Sequence, residues 1–332
     1  MLGYLVHRLL IMIPTLIAIS IVIFIIIHLP PGDYFSTYIA ELQSSGENAN
    51  LAKIAFLKAQ YGFDLPLWQQ YLYWALGLLH GDMGYSFLYD LPVNKVVGDR
   101  LLLTFIVSFT TILFTYVVAF PIGVYSATHQ YSLADYLLTF AGFLGLATPS
   151  FLLALLLVYL AHVYFGISVG GLMDPHYLDT PWSWNKAMSV FAHIWIPVIV
   201  IGLAGTASMI RRLRANLLDE LQKQYVVTAR AKGLHPMKVL FKYPLRLALN
   251  PFVSDIGSLL PHVISGAAVV SVVMSLPTTG PMLLDALRSQ DMYLAGSFLM
   301  FMAFLTVIGV FLSDLALAAL DPRIRLQSGR QA

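Results

Sequence analysis

The sequence predicts an all-α integral membrane protein with six transmembrane helices, and three observations support this fold class. Of its 332 residues, 58% are hydrophobic and only 11% are charged, whereas roughly 25% of residues are charged in a soluble domain. Six apolar segments are each long enough to cross a bilayer core, which is about 30 Å thick and needs about 20 helical residues. Lysine and arginine are concentrated on alternate connections between these segments, as the positive-inside rule describes.

Three of the apolar segments carry features that decide how they are interpreted. The first follows Arg8 and ends in HLPPGD without a small-residue cleavage site, so we expect an uncleaved span and not a signal peptide. Pro149 is expected to kink the third segment, and a pore-lining role for it is left open. Pro197 in the fourth segment is tolerated where neighbouring helices cover the freed backbone groups. The predicted spans are about 9–29, 101–125, 136–165, 191–210, 252–276 and 293–320.

The charge distribution predicts the orientation of the chain. If the N-terminus is cytoplasmic, 13 of the 19 basic residues lie on the cytoplasmic side, nine of them between Arg211 and Arg246. We therefore expect both termini in the cytoplasm. The net charge of +2 is too small to indicate a nucleic-acid partner, and the absence of cysteine excludes disulfides and thiolate ligands.

The spans and the orientation divide the chain into four parts. These are the N-terminus with the first span (1–29), an extracytoplasmic loop (30–100), a core of five spans (101–320) that includes a cytoplasmic loop at 211–249, and a cytoplasmic tail (321–332).

The extracytoplasmic loop contains a shorter predicted helix. Its apolar side chains recur at the spacing of one helical face, at Trp68, Tyr71, Leu72, Ala75, Leu76 and Leu79. We expect an outer amphipathic helix over this stretch. Its aromatic rings suit the headgroup level of a membrane, and packing against the outer ends of the spans is an equally good interpretation.

The cytoplasmic loop predicts two helices joined by a turn. The segment RRLRANLLDELQKQYVVTARAK, 211–232, has helix-forming composition without an internal glycine or proline. Gly233 follows where the end of a helix favours glycine, and Pro236 suits the first position of the next helix. A solvated loop that obeys the positive-inside rule does not need apolar residues on that second helix. Met237, Leu240 and Phe241 therefore favour docking onto another protein.

Several motifs occur in order along nearly the whole chain. They are PPGD (30–33), YGFDLPLWQQYLYWALGLLHGDMGYSF (61–87), ATPSF (147–151), TARAKG (228–233), KVLFKYPLRLALNP (238–251), LPTTGPMLLDALRSQDM (276–292) and DPRIR (321–325). By these motifs the chain resembles ABC importer permeases of the peptide/nickel branch, and among them the first permease subunit of dipeptide and oligopeptide importers. Val227 and Thr228 stand where the general loop motif has Glu and Ala, as in the peptide branch, and PTTG at 277–280 stands where that branch usually has PGLG.

This resemblance implies a type I ABC importer permease fold, in which the loop 211–249 provides the coupling helix. In that family the coupling helix sits in a groove of an ATPase subunit and moves with it when ATP closes the ATPase dimer. The resemblance assigns this role to Thr228, Ala229, Arg230, Ala231, Lys232, Gly233, Leu234, Met237, Leu240 and Phe241. Docking of a binding protein, or closure of an outer gate, is assigned to Trp68, Tyr71 and Trp74.

The resemblance also implies partners and a location. The chain lacks the G-x-x-x-x-G-K-[ST] loop that cradles ATP phosphates, so ATP and magnesium are expected on two separate ABC ATPase subunits. The chain itself is expected to be non-catalytic, with no cofactor or metal residue of its own. A second permease subunit in a heterodimer, or else a second copy of this chain, is expected to complete the pore. An extracytoplasmic solute-binding protein completes the expected importer in a bacterial or archaeal inner membrane. The expected solute is a peptide or a related compound such as an oligosaccharide.

Two other functional classes are weighed on the polar residues. A secondary transporter that works without ATP would favour charged residues at mid-membrane and broken helices in inverted repeats, and a membrane enzyme would need convergent polar side chains. We expect Asp135 to cap a helix or pair with an arginine, and His162, His193 and His262 to be packed and not clustered at metal-ligand spacing. The ABC importer interpretation is therefore preferred.

Overall fold

The computed structural model describes residues 2–32, 34–36, 39, 56, 58–59, 61–166, 170–177, 180–250, 252 and 267–320. Helices dominate these residues. They are α1 Leu2–His28, α2 Leu67–Leu79, α3 Val93–Thr128, α4 Leu133–Ala147, α5 Ser150–Phe165, α6 Trp184–Leu221, α7 Gln224–Ala231, α8 Pro236–Lys242, α9 Pro244–Ala248, α10 Thr279–Arg288 and α11 Met292–Leu320. A short antiparallel ribbon pairs β1 (Tyr85–Ser86) with β2 (Leu91–Pro92), and Pro175–Tyr177 forms a 3-10 turn.

Four helices in this described part of the chain are long and apolar enough to cross a membrane. They are α1 from Arg8 onward, α3, α6, and α11 as far as Leu315, and they correspond to the first, second, fourth and sixth predicted spans. The pair α4 and α5 adds a fifth if it is counted as one span. Most of the predicted span 252–276 lies outside the described residues. The all-α membrane fold class is confirmed.

The third predicted span is broken and not kinked. α4 ends at Ala147, α5 begins at Ser150, and the two helices meet at 103°. Proline clashes with a preceding residue in helical conformation and pushes it to extended angles, and Thr148 accordingly has φ −82° and ψ 122°. Because Pro149 is extended as well, with ψ 130°, two successive residues turn the chain. The prediction of one kinked helix is wrong in this respect.

α6 is one helix that contains both the fourth predicted span and its basic extension. Ser183 caps its start with a side-chain hydrogen bond, and the helix runs over 38 residues to Leu221, about 57 Å at 1.5 Å per residue. The chain then breaks at Gln222 and Lys223 before α7 begins. The single helix predicted for 211–232 is therefore two helices, and the first is a continuation of the span.

One compact unit consists of Met1–Leu103 and Thr278–Ile308. In it, α2 is the predicted amphipathic helix, and it packs on α1, where the ring centroids of Phe24 and Trp74 lie 6.0 Å apart. The start of α3 shares an apolar core with α10 and α11. The buried members of that core are Val93, Val96, Val97, Met282, Ala286, Leu294, Ala295 and Phe298.

The second unit consists of Thr104–Pro277 and Gly309–Ala332. Arg214 on α6 holds buried Asp135 on α4 with two hydrogen bonds, Nε to Oδ1 at 2.9 Å and Nη2 to Oδ2 at 2.8 Å. The Asp135 amide donates to Ser132 Oγ at 3.1 Å, which caps the start of α4. The Asp135 carboxylate also accepts from the Tyr131 amide at 3.1 Å, just before the start of α4. The expectation that Asp135 serves a helix start or pairs with an arginine is confirmed, since its carboxylate does both.

The histidines of the second unit differ in their surroundings. His193 is buried, and its Nδ1 lies 2.7 Å from the Ser189 carbonyl oxygen, so it is packed as predicted. His162 is exposed on α5, so the prediction of a packed side chain is wrong there, because α5 leaves most of its surface uncovered. His262 lies outside the described residues.

Candidate functional site

The turn within the basic loop is a Schellman motif. We call residues 224–248, which comprise α7, α8 and α9, the basic hairpin. At the end of α7 the Gly233 amide donates to the Arg230 carbonyl at 2.9 Å, and the Leu234 amide donates to the Ala229 carbonyl at 3.3 Å, the two bonds that define this motif. Gly233 has φ +74°, in the left-handed region that glycine adopts without steric cost. α8 then begins at Pro236, so glycine and proline act as predicted.

Two apolar clusters hold the basic hairpin in place. The first joins α7 to α8 and contains Val226, Ala229 and Val239, with Tyr225, Leu234 and Tyr243 packed around them. The second joins α8 and α9 to α6, where Leu240 and Leu245 share a buried core with Leu213 and Leu217. Since each fully buried aliphatic side chain contributes about 1.5–3 kcal/mol, the hairpin is a packed element and not a solvated loop.

The exposed side of the basic hairpin is both apolar and basic. Val227, Met237 and Phe241 are 51%, 54% and 55% exposed. α7, α8 and the turn between them carry four exposed cations, Arg230, Lys232, Lys238 and Lys242. We call these seven residues the docking face. Large exposed apolar side chains on short helices favour a protein partner, and the four cations favour a partner with acidic groups at the contact.

The structure divides the ten residues that were assigned to coupling. Seven are exposed, namely Thr228, Arg230, Ala231, Lys232, Gly233, Met237 and Phe241. Leu234 is half-buried, and Ala229 and Leu240 are buried. Ala229 and Leu240 therefore fix the hairpin to the rest of the chain, whereas the exposed residues are accessible to a partner.

One contact between α7 and α6 could not be predicted from the sequence. Tyr225 donates its hydroxyl to the Glu220 carboxylate across the break between α6 and α7. Burial, this hydrogen bond and the neighbouring negative charge raise the pKa of Tyr225, so the phenol stays protonated at physiological pH. Side chains at i and i+5 do not meet on a continuous helix, so this pair could be found only once the break was known.

The three aromatic residues assigned to binding-protein docking or an outer gate are placed differently from one another. Trp68 is 63% exposed on α2. Trp74 is buried, and its Nε1 donates to Ser297 Oγ at 3.0 Å, while the Tyr71 hydroxyl lies 2.9 Å from Ser20 Oγ. Tyr71 and Trp74 therefore hold α2 within its own unit. Four of the six residues of the predicted apolar face are nevertheless exposed, namely Trp68, Leu72, Leu76 and Leu79, so most of that face is not packed within the unit. Trp68 is the most accessible of the three.

Three of the quoted motifs meet in the first unit. Asp291 is completely buried and accepts hydrogen bonds from the Ser86 hydroxyl at 2.7 Å and from two backbone amides at 3.1 and 3.2 Å. Its neighbour Gln290 donates from Nε2 to the Pro31 carbonyl at 3.0 Å. Burial, despite these donors, raises the pKa of Asp291. Pro31, Ser86 and the pair Gln290 and Asp291 come from the motifs at 30–33, 61–87 and 276–292, so these three motifs form one polar junction.

Comparison with known protein families identifies the class of this chain. Residues 119–326 match the family described as binding-protein-dependent transport system inner membrane component. The chain belongs to this family. Residues 1–110 match the N-terminal part described for the membrane components of the same systems, so the two matches together leave only 111–118 and 327–332 of this inner membrane component uncovered.

Curated relatives align with this inner membrane component over nearly its full length. The oligopeptide transport system permease protein AppB of Bacillus subtilis is 31% identical over 328 residues, 98% of this chain and 99% of that protein. The dipeptide transport system permease protein DppB of Escherichia coli K12 is 30% identical over 341 residues, with 98% and 99% coverage. The glutathione transport system permease protein GsiC of Pectobacterium atrosepticum is 30% identical over 325 residues, with the same coverage.

These findings confirm the main functional prediction. The chain is a permease subunit of a binding-protein-dependent ABC importer. It is a membrane protein and a non-catalytic component of the importer. Membership of the family implies that it works together with the other components of such a system.

Proposed function

We propose that this chain forms half of the pore of an ABC importer for peptides. The observation that carries the proposal is the alignment over 98% of the chain with permease proteins named for oligopeptide and dipeptide transport. Oligopeptides, dipeptides and glutathione share amide-linked amino acids, so a peptide is the solute that these three relatives support best. The other half of the pore is a second, different permease subunit.

The docking face of the basic hairpin supports a role in energy coupling. ATP shifts a conformational equilibrium only if it binds the two states with different affinity, so a site on the ATPase subunits must be joined mechanically to the spans. The basic hairpin is suited to this, because Leu240 is buried against α6 while Met237 and Phe241 are exposed. The complete importer has two ATPase subunits, which hold ATP and magnesium. One of them binds the docking face of this chain, and the other binds the second permease subunit.

The orientation follows from the same assignment. If the basic hairpin meets the ATPases, it lies in the cytoplasm, as the distribution of basic residues predicts, and both chain termini lie there too. α2 and the ribbon of β1 and β2 belong to the loop 30–100, which the same charge distribution assigns to the outside of the cell. A solute-binding protein docks there, and Trp68 is the residue that it can reach among the three aromatic residues assigned to this docking, since Trp74 is buried and the Tyr71 hydroxyl contacts Ser20.

Reconstituted uptake tests this function. The complex purified through this chain is placed in liposomes that enclose ATP, and labelled dipeptides to pentapeptides are supplied outside with the binding protein. We expect accumulation that requires both ATP and the binding protein. Accumulation driven by a proton or sodium gradient without ATP would contradict the proposal and favour the secondary transporter.

A further inference from the structure

α8 and α9 are packed on α6 through Leu240 and Leu245, whereas the direct joint between α6 and α7 consists of two residues and one side-chain contact. α6 ends at Leu221 and α7 begins at Gln224, so α7 could swing about Gln222 and Lys223 if nothing else held it. Tyr225, in the first turn of α7, reaches back over this gap and donates its hydroxyl to Glu220 in the last turn of α6.

Glu220 is placed where a carboxylate is otherwise unfavourable. The C-terminal end of a helix carries a partial negative charge and favours cations, and Glu220 lies one residue before the end of α6. The Tyr225 hydroxyl gives this carboxylate a charge-assisted hydrogen bond, which is about twice as strong as a neutral one. Because Glu220 and Tyr225 are both half-buried, water competes less for the contact than it would at an open surface.

The Tyr225 ring connects the same joint to the second arm of the basic hairpin. It packs in the cluster of Val226, Ala229 and Val239, and its centroid lies 6.4 Å from that of Tyr243, the residue between α8 and α9. One side chain therefore contacts the end of α6, the start of α7 and the bend after α8. The cluster holds the two arms together, and the hydroxyl fixes the angle between α7 and α6.

We infer that the Glu220–Tyr225 contact is the positioning element through which movement of α7, the first arm of the basic hairpin, is passed to α6. This inference rests on the proposed importer function. Neither residue lies on the docking face, so the contact acts after the ATPase has bound. A hairpin that lost this contact would still dock, and α8 and α9 would stay packed on α6, but α7 would pivot at residues 222–223. ATP hydrolysis would then move α7 more than it moves α6.

The test compares ATP consumption with peptide uptake in the reconstituted importer. Tyr225→Phe keeps the ring and removes the hydroxyl. Loss of a hydrogen bond to a charged group changes an equilibrium about tenfold or more, so we expect the ATP hydrolysed per peptide imported to rise about tenfold. The amount of ATPase that co-purifies should stay at the wild-type level. The matched control is Tyr34→Phe, which removes a hydroxyl that donates to the Phe87 carbonyl at 2.9 Å in the first unit. The ATP hydrolysed per peptide imported should not change in this variant.

Variants of Glu220 separate positioning from folding. Glu220→Gln keeps an acceptor oxygen, so the ATP hydrolysed per peptide imported should stay close to the wild-type value. Glu220→Leu removes the acceptor and should raise this ratio as Tyr225→Phe does. If the two residues act through one contact, the double variant Glu220→Leu/Tyr225→Phe is no worse than either single variant. A wild-type ratio in Tyr225→Phe, or a loss of co-purified ATPase in that variant, would overturn the inference. Absence of ATP-driven uptake in the wild type would instead refute the importer function on which it rests.

Discussion

Substitution of Gly233 tests whether the turn of the basic hairpin and its exposed surface have separate roles. A left-handed backbone costs a non-glycine residue about 1–2 kcal/mol, and Gly233 has φ +74°. A Cβ atom added there would meet no heavy atom within 4 Å, so Gly233→Val adds backbone strain without an internal clash. That strain alone lowers the population of the intact turn by a factor of about 5 to 30. The new side chain would project into space that a docked partner needs.

Three variants separate these two effects. Gly233→Val should reduce both the thermal midpoint of the complex and the amount of co-purified ATPase. Gly233→Asn costs little backbone energy, because asparagine tolerates the left-handed region, yet it still adds bulk on the exposed side. We expect it to keep the thermal midpoint and to lose ATPase. Gly166→Val is the matched control, since Gly166 ends α5 with φ +63° and open space around it, and it should lower the midpoint without loss of ATPase.

The same measurements show which result would refute this reasoning. Normal ATPase content and normal uptake in Gly233→Asn would mean that no partner approaches this glycine closely. Equal loss of ATPase in Gly233→Val and Gly166→Val would mean that backbone strain anywhere in the second unit dissociates the complex, and the docking role of the turn would be unsupported.

Two further predictions concern buried carboxylates. Asp135→Ala leaves Arg214 without its two-pronged partner, and loss of one member of a buried pair costs about 3–5 kcal/mol. We expect a clear fall in the thermal midpoint, whereas Asp219→Ala, which removes an exposed carboxylate from the same helix as Arg214, should change it little; equal falls would contradict the role of burial. Burial raises the pKa of Asp291, so the folded first unit binds its proton more tightly than the unfolded chain. The stabilisation is complete below the ordinary carboxyl pKa of about 4 and is lost as the pH rises through the raised pKa. Amide-exchange protection of 85–92, corrected for intrinsic rates, should therefore fall over that interval in the wild type and stay flat in Asp291→Asn; an identical slope in both would contradict it.

Local signals explain why the turn of the basic hairpin was predictable. Glycine at a helix end and proline at the next helix start act through their own backbone angles, so Gly233 and Pro236 fix the turn whatever surrounds them. The break after Leu221 was missed for the opposite reason. Gln222 and Lys223 have good helix propensity, and the helix ends there because burial of Val226 and the contact of Tyr225 with Glu220 outweigh that preference.

Contacts between segments that are distant in the sequence could not be predicted from it. The motifs that contain Ser86 and Asp291 were recognised, but these residues lie 205 positions apart, and no periodicity along the chain connects them. The sharp turn at Pro149 was underestimated for a simpler reason. Proline alone predicts a kink, whereas the extended angles of Thr148 as well produce a break of 103°.

Photo-crosslinking from the docking face tests the central claim most directly. A photoreactive residue is placed at position 241, where Phe241 is 55% exposed, and a second at position 68, where Trp68 is 63% exposed. In membranes that contain the whole importer, position 241 should give adducts with a protein that carries the P-loop sequence of an ATPase, and position 68 should not. Adducts with the ATPase from position 68, or none from position 241, would contradict the assignment of the basic hairpin as the coupling element.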